Sequence, residues 1–163
     1  MALIELPHTR GCLVCGHDNP YGLHLHLKVD DESGTVSCDF TPTIHHIGFE
    51  GIIHGGLLAT VLDEAMVWAA TWSGKRFCVA GEMNVRFRQS AAIGQPLYVT
   101  AAVTSARSRL IEAEGAIRDF SGKLLVESTG KYVPLSTDRH REFVATLVRE
   151  PQTVQAAEAF SNR

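Results

Sequence analysis

Alternation of apolar and polar residues predicts β-strands over much of the chain. Residues 23–29, "LHLHLKV", place four apolar side chains on one face, and after the turn signal "DDESG" residues 34–40 repeat the pattern, which predicts a hairpin. Four more alternating runs follow at residues 79–89, 96–106, 110–120 and 123–133. Because their connections are short, these four strands are expected to be antiparallel neighbours.

Residues 55–72 have a different pattern, which predicts a long helix. The segment is apolar on nearly every side, and its polar positions are only Thr60, Asp63, Glu64 and Thr71. A helix that is apolar all round is a buried helix. The predicted order is therefore β-β-α-β-β-β-β, an α+β fold in which an antiparallel sheet wraps one long central hydrophobic helix.

The two ends of the chain predict simpler structure. Residues 1–22 are rich in Gly and Pro and are expected to form an N-terminal arm, residues 23–135 the main domain, and residues 136–163 a C-terminal helix and tail. Within the last segment, a short amphipathic helix with Phe143, Val144, Leu147 and Val148 on one side is expected to stop at Pro151, and the residues beyond to be frayed.

Composition narrows the class of protein. The 163 residues, with 45% hydrophobic and 20% charged residues, suffice for one core, and a net charge of −3 provides no basic surface for nucleic acid or an anionic membrane. We find no secretory signal or membrane span and expect a cytoplasmic protein. Its four cysteines are therefore expected to be reduced.

The helix carries two features that suggest chemistry. His54-Gly55-Gly56 lies at the helix start, where free backbone N–H groups and the helix dipole suit an oxyanion, although paired glycines also serve close packing. Asp63 lies in the apolar middle, where burial raises the pKa of a carboxyl toward the range of a general base or nucleophile. The alternative is an Asp paired with an Arg or facing solvent. Glu64, about 100° further round, is expected to be a wet-side or supporting residue.

These motifs resemble a known family. "HHIGFEGII", "HGGLLATVLDEA" and "GEMNVRFRQSAAIGQPL", together with the strand order, are similar to the hotdog-fold acyl-CoA thioesterases, of the phenylacetate-degradation type in the 4-hydroxybenzoyl-CoA thioesterase superfamily. The likeness covers residues 20–133, and the arm "CLVCGHDNPYGLHL" resembles one branch of the group. It implies that Gly55 polarises the thioester carbonyl, that Asp63 activates water or attacks the carbonyl, and that His54 orients the loop.

Two departures from the family pattern affect the site. Many members carry Asn or Gln where this chain has Gly48, and Ser or Thr where it has Ala80. His46 or His45 is a possible substitute for the missing polar group. The departures favour the alternative function, a non-catalytic acyl-CoA-binding or regulatory module on the same fold.

The remaining expectations concern ligands and partners. Arg86 and Arg88 are expected to bind the phosphates of coenzyme A, and Phe49 to contact the acyl or aryl group. The CoA thioester is the substrate, and no cofactor is expected. Since Gly55 and Asp63 are about 12 Å apart along one helix at ~1.5 Å per residue, the active site is expected to form between two subunits of a homodimer, with a dimer of dimers left open.

The arm contains residues that could bind a metal ion. Cys12 and Cys15 form a Cys-x-x-Cys pair with four histidines nearby: His8, His17, His24 and His26. No second Cys pair or spaced His pair follows to complete four ligands. The sequence-based prediction is therefore no metal, and a zinc-stabilised interaction protein remains as a third hypothesis.

Overall fold

A single long helix, α1 (Gly55–Gly74), is the centre of the fold in the computed structural model, which describes residues 2–161. Nine of its residues are buried, among them Leu62 and Met66, which face the sheet. Gly115 on the facing strand permits the close approach, because a Cβ there would lie 3.0 Å from Leu62 Cδ2 and 3.1 Å from Met66 Cγ. Among residues 2–161, no helix is long and apolar enough to cross a membrane.

The helix packs on a seven-stranded antiparallel sheet with the order β1-β3-β4-β8-β9-β10-β7. The strands of this sheet are β1 (Leu3–Glu5), β3 (Lys28–Asp30), β4 (Val36–Phe40), β7 (Cys78–Phe87), β8 (Leu97–Arg107), β9 (Leu110–Asp119) and β10 (Leu124–Pro134). Two small pairs complete the strands: β2 (His8–Thr9) with β11 (Leu147–Val148), and β5 (Ile47–Phe49) with β6 (Ile52–Ile53). The predicted fold class, an antiparallel sheet around one central helix, is confirmed.

Strand β7 is an edge of the sheet and is largely exposed. Nine of its ten residues pair with β10 on one side, while among the described residues no strand pairs with the other side. Val79 is 43% exposed and Phe87 53% exposed. A long edge with exposed apolar side chains is a surface on which another strand can pair.

The strand predicted for residues 23–29 is present only at its C-terminal end. Leu23 and Leu25 donate their N–H groups to the carbonyls of Leu13 and Val14 in the arm, and the regular strand β3 begins at Lys28. His24 between them has φ of 52°, a left-handed conformation that interrupts the regular ladder. The alternation in burial survives because the segment lies extended between the arm and the core.

The C-terminal prediction was wrong in two respects. Helix α2 (Thr137–Ala145), with Ser136 as its N-cap, lies in the predicted segment, but it ends before Leu147 and Val148, which pair with β2 instead of extending the amphipathic face. Beyond Pro151 the chain is not frayed: it forms α3 (Val154–Ser161). The physical reason is burial, since Phe160 is fully buried in an aromatic cluster with Trp68, Trp72 and Phe77.

Candidate active site at the start of the central helix

The N-terminus of α1 leaves one backbone donor open. His54 is the N-cap, and its Nδ1 accepts the N–H of Gly56 at 2.9 Å. The N–H of Gly55 has no acceptor among residues 2–161. Of the two predicted glycines, Gly56 is therefore occupied by the imidazole, and Gly55 presents the amide that is free for a carbonyl oxygen.

The loop before the helix is held by imidazoles. The Nδ1 atom of His46 accepts the Thr43 N–H at 2.9 Å, and the His46 carbonyl accepts the His54 N–H at 2.9 Å. Because each Nδ1 accepts a backbone N–H, both His46 and His54 are tautomers with the proton on Nε2. Burial, with His45 as a smaller cause, lowers the pKa of His46.

The backbone geometry accounts for Gly48. A Cβ at this position would lie 2.8 Å from His54 Cα, which is closer than real contacts allow. An Asn or Gln side chain therefore has no room here unless the His54 loop moves. The tight packing between Gly48 and His54 thus goes together with the absence of an Asn or Gln side chain at this position.

A small cleft adjoins the helix start. It encloses about 270 Å³ and is lined by His45, His46 and His54 from the loop, Leu57 and Thr60 from α1, and residues of the arm that include Leu13, Tyr21 and Leu23. Tyr21 is 88% exposed. Phe49 is 82% exposed at the turn between β5 and β6 and does not line this cleft.

Phe87 is a neighbour of Gly55 that sequence reasoning did not select. A Cβ added to Gly55 would lie 3.3 Å from the Phe87 ring, so the ring lies directly beside the open amide. The available signal was the alternation of β7, which puts Met83, Val85 and Phe87 on the helix side. Phe87 is 53% exposed, so its ring is an apolar surface next to Gly55.

Asp63 is half-buried on α1 and is hydrogen-bonded to the sheet. The hydroxyl of Tyr132 on β10 donates to Asp63 Oδ1 at 3.1 Å. Burial raises the pKa of Asp63, and the hydrogen bond from Tyr132 partly opposes that rise. Burial and the adjacent carboxylate raise the pKa of Tyr132 well above its usual range, so the phenol stays a donor. The partner of Asp63 among residues 2–161 is thus a tyrosine hydroxyl and not an Arg.

Tyr132 is a second residue that the sequence did not reveal. Its side chain is fully buried, and its position on β10 fits the alternation predicted for residues 123–133. Nothing in the pattern distinguishes a tyrosine that bonds a carboxylate from a tyrosine of the core. The phenol reaches Asp63 because β10 packs against α1.

Of the two positions predicted for Glu64, wet-side or supporting, the structure contradicts the first. Its Oε1 accepts the Trp68 Nε1–H at 3.0 Å, and the Cys12 thiol lies 3.7 Å from Oε1 and 3.9 Å from Oε2. Burial, followed by the charge of Cys12, raises the pKa of Glu64 to about 7. The prediction failed because the arm folds over this face of the helix and excludes water from it.

Arg86 and Arg88 lie on the face of the sheet that points away from α1. Arg88 donates to Glu127 Oε1 through Nη2 at 2.6 Å and through Nε at 3.1 Å, while Arg86 Nη1 lies 3.9 Å from the same oxygen. Both side chains are well exposed. They flank Phe87 along the chain, on the opposite face of the strand from the Gly55 amide.

Comparison with known proteins shows which family the chain resembles. The model of the thioesterase superfamily matches residues 50–126, a range that holds His54, Gly55, Asp63 and the strand of Arg86. The chain has the hotdog fold and is similar to the thioesterase superfamily over this range. The predicted resemblance to hotdog-fold thioesterases is confirmed.

Solved structures agree with this assignment. A thioesterase superfamily protein is 28% identical with a TM-score of 0.71, over 76% of this chain and 60% of that protein. The Escherichia coli PaaI protein from the phenylacetic acid degradation operon is 21% identical with a TM-score of 0.64, over 70% and 81%. A Streptococcus mutans protein bound to acetyl-CoA is 14% identical with a TM-score of 0.63, over 69% and 89%. No protein of curated function matches the chain.

Proposed function

We propose that this protein belongs to the thioesterase superfamily and hydrolyses acyl-CoA or aroyl-CoA thioesters to the free acid and CoA. The observation that carries the proposal is Asp63, a half-buried carboxylate whose pKa is raised by burial and whose one hydrogen-bond partner among the described residues is the phenol of Tyr132. A half-buried carboxylate that forms no ion pair with the described residues is suited to act as a base or nucleophile. Acetyl-CoA in the Streptococcus mutans neighbour supports the choice of thioester.

The open Gly55 amide supplies the second part of the chemistry. The thioester carbonyl accepts this N–H, and the dipole of α1 favours the negative charge that develops on the oxygen when the carbon is attacked. As a base, Asp63 removes a proton from water, the water oxygen adds to the carbon, and collapse of the tetrahedral intermediate expels the CoA thiolate and leaves the free acid. As a nucleophile, Asp63 adds to the carbon itself, collapse expels the CoA thiolate and leaves an acyl–Asp anhydride, and water then hydrolyses that anhydride to the free acid and Asp63. The Phe87 ring beside Gly55 packs on the acyl or aryl group.

The two groups act together only across a dimer. Gly55 and Asp63 of one chain are about 12 Å apart along α1, whereas a polarising amide must lie within about 3 Å of the carbonyl oxygen. A two-fold axis that sets two α1 helices antiparallel brings Asp63 of one subunit opposite Gly55 of the other, twice per dimer. The unpaired side of β7 offers the edge along which the two sheets join.

Arg86 and Arg88 remain our proposed contacts for the CoA phosphates. Arg86 lies on β7 and Arg88 directly follows its last residue, Phe87; both side chains are exposed, and an Arg guanidinium binds phosphate in a bidentate manner. Their shared partner Glu127 holds both side chains in place before the ligand arrives. A phosphate competes with that carboxylate for the same donors.

Steady-state hydrolysis of a panel of acyl-CoA and aroyl-CoA thioesters tests the activity. The variant Asp63→Asn is expected to lower kcat by at least about 100-fold while circular dichroism and thermal unfolding stay close to wild type. Asp39→Asn, the same chemical change at an exposed position of β4, is the matched control and keeps full activity. Binding of CoA thioesters without turnover by any panel member identifies the non-catalytic module instead.

Subunit mixing tests the shared site. Asp63→Asn and Gly55→Val proteins, each inactive, are unfolded and refolded together in equal amounts. Random pairing makes half of the dimers mixed with one intact site each, so about a quarter of wild-type activity returns. If mixed dimers form and no activity returns, each site lies within one chain and the placing of Gly55 or Asp63 is wrong.

A further inference from the structure

The Cys-x-x-Cys of the arm forms a tight loop that brings the two thiols together. The Val14 N–H donates to Cys12 Sγ at 3.4 Å, and the Gly16 N–H donates to the Cys12 carbonyl at 3.0 Å. Only glycine fits at position 16, because a Cβ there would lie 2.5 Å from backbone atoms of Cys12. The loop therefore holds the Cys12 and Cys15 sulfurs on one side of a rigid turn.

Glu64 of the central helix completes a three-residue cluster with this loop. One ligand atom from each of Cys12, Cys15 and Glu64 lies within 4.8 Å of the other two. The Trp68 Nε1–H bonds one carboxylate oxygen and fixes its orientation, in the way that hydrogen bonds from a second layer of residues orient metal ligands. Cys12 is half-exposed, so an ion has a path from solvent to the cluster.

Among residues 2–161, no positively charged side chain forms an ion pair with Glu64. Its carboxylate oxygens contact the Trp68 Nε1–H and the Cys12 thiol. A half-buried carboxylate beside two thiols has lost part of its hydration, and a cation bound between the three groups offsets that loss. A divalent ion supplies that charge in the position where all three ligands point.

We propose that Cys12, Cys15 and Glu64 bind Zn²⁺, with water as the fourth ligand, and that the ion ties the arm to the central helix. In a tetrahedral site with Zn–S near 2.3 Å and Zn–O near 2.0–2.2 Å, sulfur and oxygen are about 3.5–3.7 Å apart and two sulfurs about 3.8 Å. The Cys12 to Glu64 distance of 3.7 Å meets the first value. Thiolate ligands select zinc over magnesium or calcium.

This proposal replaces the prediction of no metal. That prediction rested on the lack of a second Cys or His pair near the arm, but the third ligand is 52 positions away along the chain, on α1. A competing set also exists: His8, His17 and Glu150 place their ligand atoms within 4.8 Å of one another, and the two imidazoles are stacked at 3.8 Å. The experiment must distinguish the two sets.

Metal analysis of the purified protein provides the test. Protein expressed with added zinc and purified in reducing buffer without chelator is expected to hold about one zinc per chain by elemental mass spectrometry. Cys12→Ser and Cys15→Ser are expected to lose the metal, and Glu64→Gln to weaken zinc binding by at least about tenfold. Cys78→Ser, a buried cysteine elsewhere in the fold, and His17→Ala are expected to retain it.

Cobalt gives a readout that does not depend on the variants folding. Wild-type protein stripped of metal and titrated with Co²⁺ is expected to show a thiolate-to-cobalt charge-transfer band and the intense visible bands of tetrahedral cobalt. Wild-type protein that takes up neither ion, or that forms a Cys12–Cys15 disulfide in the reducing buffer, overturns the proposal. Zinc that persists in the cysteine variants and is lost in His17→Ala assigns the metal to the other set and overturns it equally.

Discussion

Replacing Tyr132 by Phe tests the ionisation of Asp63 directly. The change removes only the hydroxyl that donates to Asp63 Oδ1 at 3.1 Å, and the ring stays in its fully buried position. That hydrogen bond is the cause that lowers the pKa of Asp63, while burial raises it. Without the hydroxyl, burial acts unopposed and the pKa of Asp63 rises further.

The size of the change follows from the strength of the bond. A hydrogen bond to a charged group contributes about 1.5–3 kcal/mol, and one pKa unit corresponds to about 1.36 kcal/mol. Because the protonated carboxyl also keeps some interaction with the phenol, we expect the lower end of this range, a rise of about one unit. If Asp63 must be ionised to act, activity is lost as the pH falls through its pKa, so the acid limb moves to higher pH.

The assay is kcat/KM for a CoA thioester measured across the acid range, by release of the CoA thiol. The Tyr132→Phe profile is expected to lie about one pH unit higher on its acid limb, with a smaller change on the plateau. Tyr98→Phe, at a half-exposed tyrosine on the outer face of β8, is the control and keeps the wild-type profile. An unmoved acid limb in a folded Tyr132→Phe protein refutes the view that Asp63 is the titrating group.

Three further outcomes follow from contacts in the structure. Gly48→Ala places a Cβ 2.8 Å from His54 Cα, so we expect a loss of about 1–3 kcal/mol in the free energy of unfolding, measured by urea denaturation; no loss means that the loop moves freely. Phe160→Ala empties a fully buried site and is expected to lose about 3–5 kcal/mol in the same assay, whereas a loss below about 1 kcal/mol would mean that the tail packs loosely. Arg86→Ala or Arg88→Ala is expected to raise KM for a CoA thioester and to spare a short thioester without phosphates; equal losses on both indicate a folding defect.

The central helix and the four long strands could be predicted because each has a clear hydrophobic periodicity of its own. The four strands from residue 78 onward alternate cleanly, and α1 is apolar on all sides, so each element carries its own signal. The tail carried no such signal. Ala156, Ala157 and Phe160 make a short apolar stripe that is stable only because the aromatic side chains of α1 receive it.

The candidate site also contains some residues that the sequence predicts and others that only the structure reveals. Gly55 and Asp63 follow from the chemistry of a helix start and of a carboxylate in an apolar segment, both visible in one stretch of sequence. Tyr132 and the position of Glu64 depend on which distant segments cover α1, the first through β10 and the second through the arm. Helical periodicity states which side of the helix a residue occupies, but it contains no information on what lies against that side.

The pairing of β2 with β11 joins the two ends of the chain into one cooperative unit. Val148 pairs with His8 and Leu147 with Thr9, immediately before the loop of Cys12, while His140 in α2 links Phe77 to the carbonyl of Phe160. Amide hydrogens in the arm and in the C-terminal helices should therefore exchange with solvent at matched rates, since neither end opens without releasing the other. Deleting α3 is therefore expected to loosen the arm that covers Glu64, although no residue of α3 is hydrogen-bonded to that carboxylate.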